Sequence, residues 1–138
     1  MFMDADEARQ FLRENHNAVV TTIRKNGDPA MSPISVGVDN EGYAVISSRE
    51  TAYKVKHLER DPRVWLTCLT KQFYGEWLSI KGTATVVHLP DAMDGLIDYY
   101  RGISGEHPDW DDYRAAMVRD QRVLIKLALT RAGPDAAG

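Results

Sequence analysis

A single cysteine, Cys68, stands among 138 residues, so no internal disulfide can form, which fits a reducing compartment and an expected cytoplasmic location. No apolar run approaches the roughly 18 residues that a bilayer-spanning helix needs, and the acidic opening Met1-Phe2-Met3-Asp4-Ala5-Asp6 does not resemble a signal peptide. Basic excess is missing as well. Seventeen Lys and Arg against 20 Asp and Glu leave a net charge of −3, which argues against a dedicated nucleic-acid binder. The ten glycines are dispersed and none follows the pattern G-x-G-x-x-G, so there is no dinucleotide loop. His16, His57, His88 and His107 lie far apart, none paired with a second His or Cys at metal spacing, so no metal site is expected. Cys68 sits in a strand-like run and is expected to be a small buried apolar side chain. No nucleophile–base pair is visible, so no catalytic residue is assigned. A chain without acid, base, nucleophile or metal either is not an enzyme or borrows its chemistry from a cofactor.

What is present is a patterned single domain. Asp6 to Asn15 predicts a short amphipathic helix with Ala8, Phe11 and Leu12 on one side. Ala18 to Lys25 is β-branched and apolar, and Asn26-Gly27-Asp28-Pro29 after it signals a hairpin. Ala30 to Val38 predicts the returning strand, with Ser32, Ile34, Val36 and Val38 on one face. Pro33 inside it cannot donate to a ladder and puts this strand at an edge or beside a gap. Arg63 to Leu69 is apolar on both faces, a central strand. Glu76 to His88 is the longest strand, with Gly82 on its apolar face. Asp91 to Arg101 places Met93, Leu96, Ile97 and Tyr100 on one helical stripe. Asp109 with Asp112 three residues later resembles a capping box ahead of a second helix. Gln121 to Arg131 closes with alternating Val123, Ile125, Leu127 and Leu129. The expectation is one domain over residues 1–131, a frayed tail over 132–138, and about six antiparallel strands in a small closed barrel with helices outside it.

The stretch Tyr43 to Arg63 carries the chemistry. A strand ends in Ser47 and Ser48, the turn Arg49-Glu50-Thr51 follows, and a helix-like segment runs from Ala52 to Arg60 until Asp61-Pro62 stops it. Thr51 is the expected cap. Lys54 and Lys56 lie on this helix, with Val55 and Leu58 facing the protein. Hydroxyls and free backbone amides at a helix start, with a lysine just inside, suit an anion such as phosphate. The same pattern also describes an ordinary strand–helix connection with solvated lysines. Trp65, Trp77 and Trp110 are candidates for a pocket wall or for simple packing. The acids Glu106, Asp109, Asp111 and Asp112 are explained by capping, although they also suit a cation.

Taken together in order, Asn26-Gly27-x-Pro29, Ser32-Pro33-Ile34, Val45-Ile46-Ser47-Ser48, Lys54-x-Lys56-x-Leu58-x-x-Asp61-Pro62-Arg63 and Trp77-x-x-Ile80-x-Gly82-x-Ala84 resemble the pyridoxamine-phosphate-oxidase-like FMN-binding split-barrel superfamily. With Tyr100-Arg101 and Gly105-Glu106-His107-x-Asp109-Trp110-Asp111-Asp112-Tyr113, the chain is similar to its actinobacterial deazaflavin (coenzyme F-420)-dependent reductases. The resemblance spans about Glu7 to Arg131. It implies a mainly β (α+β) fold, a homodimer of six-stranded antiparallel split barrels, with two cofactor grooves at the dimer interface. It also implies Lys54 as phosphate ligand, Ser47 and Ser48 as hydroxyl donors and Lys56 as a second charge. Ser32, Pro33 and Ile34 would lie along the tricyclic ring, and Trp77 of a partner would edge the pocket. Relatives often carry an arginine two places before the lysine; here Ala52 occupies that place, and Arg49 would substitute from the turn. The implied activity is hydride transfer from reduced coenzyme F-420 to an electron-poor small molecule of quinone, tetrapyrrole or unsaturated-lactone type, without nucleic acid or membrane partners. Its rivals are an FMN-binding oxidase or flavin protein on the same fold, and a non-enzymatic carrier of cofactor or haem.

Overall fold

The computed structural model describes residues 4–133. Helix α1 (Ala5–Glu14) leads into strands β1 (Asn17–Ile23), β2 (Pro29–Ser35), β3 (Gly37–Val38) and β4 (Ala44–Arg49). Helix α2 (Tyr53–Arg60) comes next, followed by β5 (Arg63–Leu69) and β6 (Trp77–Val87). Helices α3 (Met93–Ser104) and α4 (Trp110–Arg119) precede the last strand, β7 (Arg122–Gly133). The strands form one curled sheet in the order β2-β1-β5-β6-β7-β4-β3, and every pairing is antiparallel. As expected, β5 is central and Pro33 lies on an edge strand.

The strand count departs from the expected six, because the described residues form seven. The run from Ala30 to Val38 breaks at Val36 into β2 and β3, which occupy opposite edges of the sheet. The cause is local. The Val36 amide donates to the His16 carbonyl at 2.9 Å, and His16 Nδ1 donates to the Val36 carbonyl at 2.8 Å. Both backbone groups of Val36 are thus withdrawn from a ladder while its side chain is fully buried. One continuous stretch thereby joins the two edges and curls the sheet into a barrel.

Strand alternation divides the apolar residues between two cores. Ala44, Ile46, Leu66, Leu78, Ile80, Val123, Ile125 and Leu127 fill the inside, joined by Ala8 and Leu12 of α1 and by Val55 and Leu58 of α2. Val45 and Leu124 face the other way and carry Ala92, Leu96, Ile97 and Tyr113, which fixes α3 and α4 against β4 and β7. Between β2 and the end of β4 the Tyr99 hydroxyl spans a gap. It donates to the Ser35 carbonyl at 2.9 Å and accepts from the Ser47 amide.

Three turn details refine the expectations. At the hairpin only Gly27 takes a positive φ, 93°. Helix α2 starts from Ala52 with no side-chain cap, so Thr51 does not serve as one. Asp109 does cap α4, accepting from the Asp112 amide at 3.1 Å. The reciprocal partner is His107 Nδ1, which accepts from the Asp109 amide at 2.9 Å. β7 continues through Ala132 and Gly133, and the rest of the expected tail, 134–138, lies outside the described residues.

The ladder between β6 and β7 shifts register at Lys81/Gly82. A Cβ on Gly82 would sit 2.8 Å from the Ala128 carbonyl oxygen, which is backbone. Gly82→Ala should therefore destabilise the fold by about 1–3 kcal/mol. Gly102 lies inside α3, and a Cβ added there would meet nothing within 4 Å. Gly102→Ala should therefore stabilise the protein by about 0.5–1 kcal/mol. Denaturant midpoints of the two variants check both signs.

Candidate anion and cofactor site

Where β4 hands over to α2, no side chain satisfies the amides of the first helical turn. Beside that uncapped start lies a cavity of about 250 Å³. Thr22 and Arg24 line it from the β1 side, Ala30, Met31 and Ser32 from β2, and Tyr53, Lys54 and His57 from α2. Two of the expected site residues, Ser32 and Lys54, thus share one cavity. Ile34 points to the same side of β2 as Ser32 but packs on the main core, whereas Pro33 is exposed on the opposite face.

The remaining expected residues are distributed differently. Ser47 and Ser48 are neighbours on a strand and so face opposite sides. Ser48 is buried on the side of Ala44 and Ile46, and the Ser47 amide is held by Tyr99. Lys56 is exposed and lies over the Tyr53 ring, 5.8 Å from its centre. Arg49 ends β4, exposed, directly across from Arg122 of β7. Trp77 starts β6 beside Leu69, whose other neighbour is Asn17, at the end of the sheet away from α2 and Arg63. Within one chain it does not meet Lys54.

Arg122 is the residue that sequence patterning missed. Its Nε is buried without a hydrogen-bond partner. Its charge is felt by Lys54, whose pKa is lowered by partial burial first and by Arg122 second. The Tyr113 phenol is pushed up to about 12 by burial and by neighbouring Tyr99, with Arg122 acting in the opposite sense. Among the described residues no ion pair involves Arg49, Lys54 or Arg122. The nearby acids are turned elsewhere. Glu50 and Glu59 both lie against His88, at 3.3 Å from Nδ1 and from Nε2 respectively. By contrast, Lys126 on the same strand as Arg122 is held by Asp39 at 3.3 Å and Glu41 at 3.4 Å. The β4–α2 corner therefore keeps uncompensated positive charge beside a cavity, an arrangement that favours an anion.

Residues 5–133 match the family model of pyridoxamine 5'-phosphate oxidase. The chain belongs to the pyridoxamine 5'-phosphate oxidase family. Solved structures agree on the fold. A conserved hypothetical protein of Mycobacterium tuberculosis superposes with a TM-score of 0.77 at 21% identity, over 94% of this chain and 82% of that one. An F-420 reductase superposes at 0.69 and 16%, over 91% and 94%. A haem-binding protein of Mycobacterium smegmatis gives 0.68 and 17%, over 93% of this chain and 52% of its own.

In this member of the pyridoxamine 5'-phosphate oxidase family several other candidate residues are buried or already paired. Cys68 is fully buried, and burial pushes its thiol up to about 12. Glu106 is occupied by Arg101 Nε at 2.7 Å and Trp110 Nε1 at 3.0 Å. No group of three or more His, Cys, Asp or Glu suited to a metal occurs among the described residues. None of the described helices is long and apolar enough to cross a membrane. Trp110 packs edge-on against Tyr100 and Tyr113, and Trp65 lies on the outer sheet face between Arg63 and Lys81.

His57 is the buried polar wall of the cavity, its Nδ1 2.9 Å from Thr22 Oγ1. Burial first, then Arg60 and Arg24, lower its pKa below 6.5. The folded chain holds this ring neutral where the unfolded chain takes up a proton. Its contribution is therefore complete above about pH 6.5 and is lost as pH falls below that value. His57→Gln, which can still bond Thr22, should flatten part of the fall in melting temperature between about pH 6.5 and 5. Melting curves across that range, compared with the parent protein, measure it.

Proposed function

We propose that this protein is a deazaflavin (coenzyme F-420)-dependent oxidoreductase that works as a homodimer and reduces an electron-poor unsaturated small molecule. The observation that carries the proposal is the uncompensated, partly desolvated Lys54 beside the Ser32 cavity. A buried, unsatisfied guanidinium nitrogen nearby and an uncapped helix start make the same corner fit the anionic end of a cofactor. The deazaflavin, when bound, would supply the hydride.

The chain's own residues would hold and shield. Lys54 gives a charge-assisted bond to the cofactor's phosphate. Ser32 and the backbone of β2, an edge strand with no neighbour beyond it, lie along the ring. Arg49 sits close enough to the turn to add charge, and the exposed Lys56 contributes to steering at longer range. Position and exclusion of water are the protein's share of the rate. No side-chain acid is required of the chain, since solvent can deliver the proton that completes a reduction.

A second copy has a surface to fit. The outer face of β2, β1 and β5 aligns Met31 with Thr21 and Trp65, and Pro33 with Val19 and Thr67. Met31 is 66% exposed and borders the cavity. Pairing through this face would cover that apolar band and bring a partner's Trp77 toward the groove. The similarity to an F-420 reductase fold supports the choice of ring. FMN on the same fold is the second reading, favoured by the same cationic corner.

Titration of the purified protein with each cofactor separates the two. Micromolar binding of coenzyme F-420, with turnover of its reduced form by a quinone or unsaturated-lactone panel, is expected. Binding of FMN alone would transfer the protein to the flavin branch, and binding of reduced cofactor without turnover would make it a carrier. Lys54→Ala should weaken cofactor binding by about 1.5–3 kcal/mol with little change in melting temperature. Unchanged affinity would move the phosphate elsewhere.

A further inference from the structure

We infer that His107 is a proton-operated pin between α3 and α4: its neutral imidazole holds the start of α4 in place, and protonation releases it. The segment Gly105-Glu106-His107-Pro108-Asp109 joins the two helices, and none of its residues lines the Lys54 cavity. Gly105 ends α3 with φ 81° and ψ −161°, a backbone conformation essentially confined to glycine, which turns the chain sharply. His107 Nδ1 then accepts from the Asp109 amide at 2.9 Å. Asp109 in turn caps α4, its carboxylate accepting from the Asp112 amide at 3.1 Å and its carbonyl from the Tyr113 amide at 3.1 Å. The imidazole nitrogen thus fixes the cap, and the cap fixes the helix.

An imidazolium carries a proton on both nitrogens and has no acceptor left. Protonation therefore sets an N–H of the ring against the N–H of Asp109, and their bond is lost. His107 is half-buried, so solvent can supply the proton, and imidazole is the side chain that charges between about pH 8 and 5. The surroundings let the ring charge without leaving. Tyr100 of α3 and Trp110 and Tyr113 of α4 surround it, with ring centres 5.1, 5.7 and 5.5 Å from that of the imidazole. Those separations lie inside the roughly 6 Å over which a cation and an aromatic ring attract. The charged neighbours are engaged elsewhere. Glu106 accepts from Arg101 Nε at 2.7 Å and from Trp110 Nε1 at 3.0 Å, and Arg101 also pairs with Asp98 at 3.5 Å. Asp111 and Asp112 are exposed, Asp111 beside Arg114 at 3.5 Å, and from β7 the Arg122 charge is felt at Tyr113. The Tyr113 hydroxyl donates to the Leu96 carbonyl at 2.8 Å and keeps the middle of α4 on α3. Release is thereby confined to the first turn of α4.

Solvent exchange of individual amides, followed by NMR in the full-length protein and corrected for its intrinsic pH dependence, reads this release. The amides to follow are those of Asp109, Asp112 and Tyr113, with the β5–β6 ladder as the internal control. The parent protein, His107→Asn and His107→Phe would be compared at about pH 7.5 and about pH 5, on either side of the imidazole range. Asparagine keeps an acceptor that does not titrate, and phenylalanine keeps a ring without an acceptor. In the parent, protection of the three amides should be lower at the acid value by about fivefold or more, with the β5–β6 ladder unchanged. His107→Asn should keep its protection at both values, and His107→Phe should show the low level at both. Parent protection that is level across the range would overturn the inference, as would an acid loss that persists in His107→Asn. Full protection in His107→Phe at about pH 7.5 would show that the acceptor is immaterial and would end it as well. An acid loss shared equally by the β5–β6 ladder would assign the effect to overall stability and likewise remove the pin.

Discussion

The two hydrogen bonds between His16 and Val36 decide the architecture. They take one residue out of the ladder and send the chain from one edge of the sheet to the other without a loop. Because β2 and β3 are then consecutive in sequence and opposite in the sheet, the sheet must curl. Because β3 is only two residues long, the closure cannot extend along β4. The gap between β2 and the end of β4 follows from that shortness, and a single phenol, Tyr99, spans it. The cavity beside Lys54 lies next to this unzipped seam. A longer β3 would pair with the end of β4 and leave no seam.

Charge is arranged to keep the corner unsatisfied. Two acids, Glu50 on the β4–α2 connection and Glu59 on α2, pair with neither Lys54 nor Arg122. Instead His88 collects both, and the lysine on the far side, Lys126, has two carboxylates of its own. The chain is net acidic, so local excess of cations is a matter of placement rather than supply. Among the described residues Lys54, partly buried, has no ion-pair partner, and the buried Nε of Arg122 has no hydrogen-bond partner. Uncompensated charge of this kind is a feature that binding sites share with some structural networks.

Much of this was legible in residue order, and the limits are instructive. Periodicity located the strands of β1, β5, β6 and β7 and the stripe of α3, because alternation and helical spacing are local. The edge position of β2 was legible from Pro33 alone. The break at Val36 was not, because it depends on His16, twenty residues away. The opposite facing of Ser47 and Ser48 was legible too, since neighbours on a strand must diverge. Thr51 has the right chemistry for a cap, but Ala52 occupies the capping position. Arg122 carries no motif. Its place appears only when β7 pairs with β4 and sets it opposite Arg49, from a segment about seventy residues away.

The choice between ring systems turns on what the corner can distinguish. Under the proposed function, Ser32 and the backbone of an edge strand would meet a flat heterocycle by shape, and shape alone separates a flavin from a deazaflavin poorly. The cations of the β4–α2 corner would meet the other end of the molecule. A phosphate monoester concentrates its charge on one group, whereas a tail with several separated acids spreads it. Lys54 lies on the cavity side and Arg122 on the helix side of the same corner. Under the proposed function, that corner rather than the ring-lining strand is where the two cofactors would be told apart.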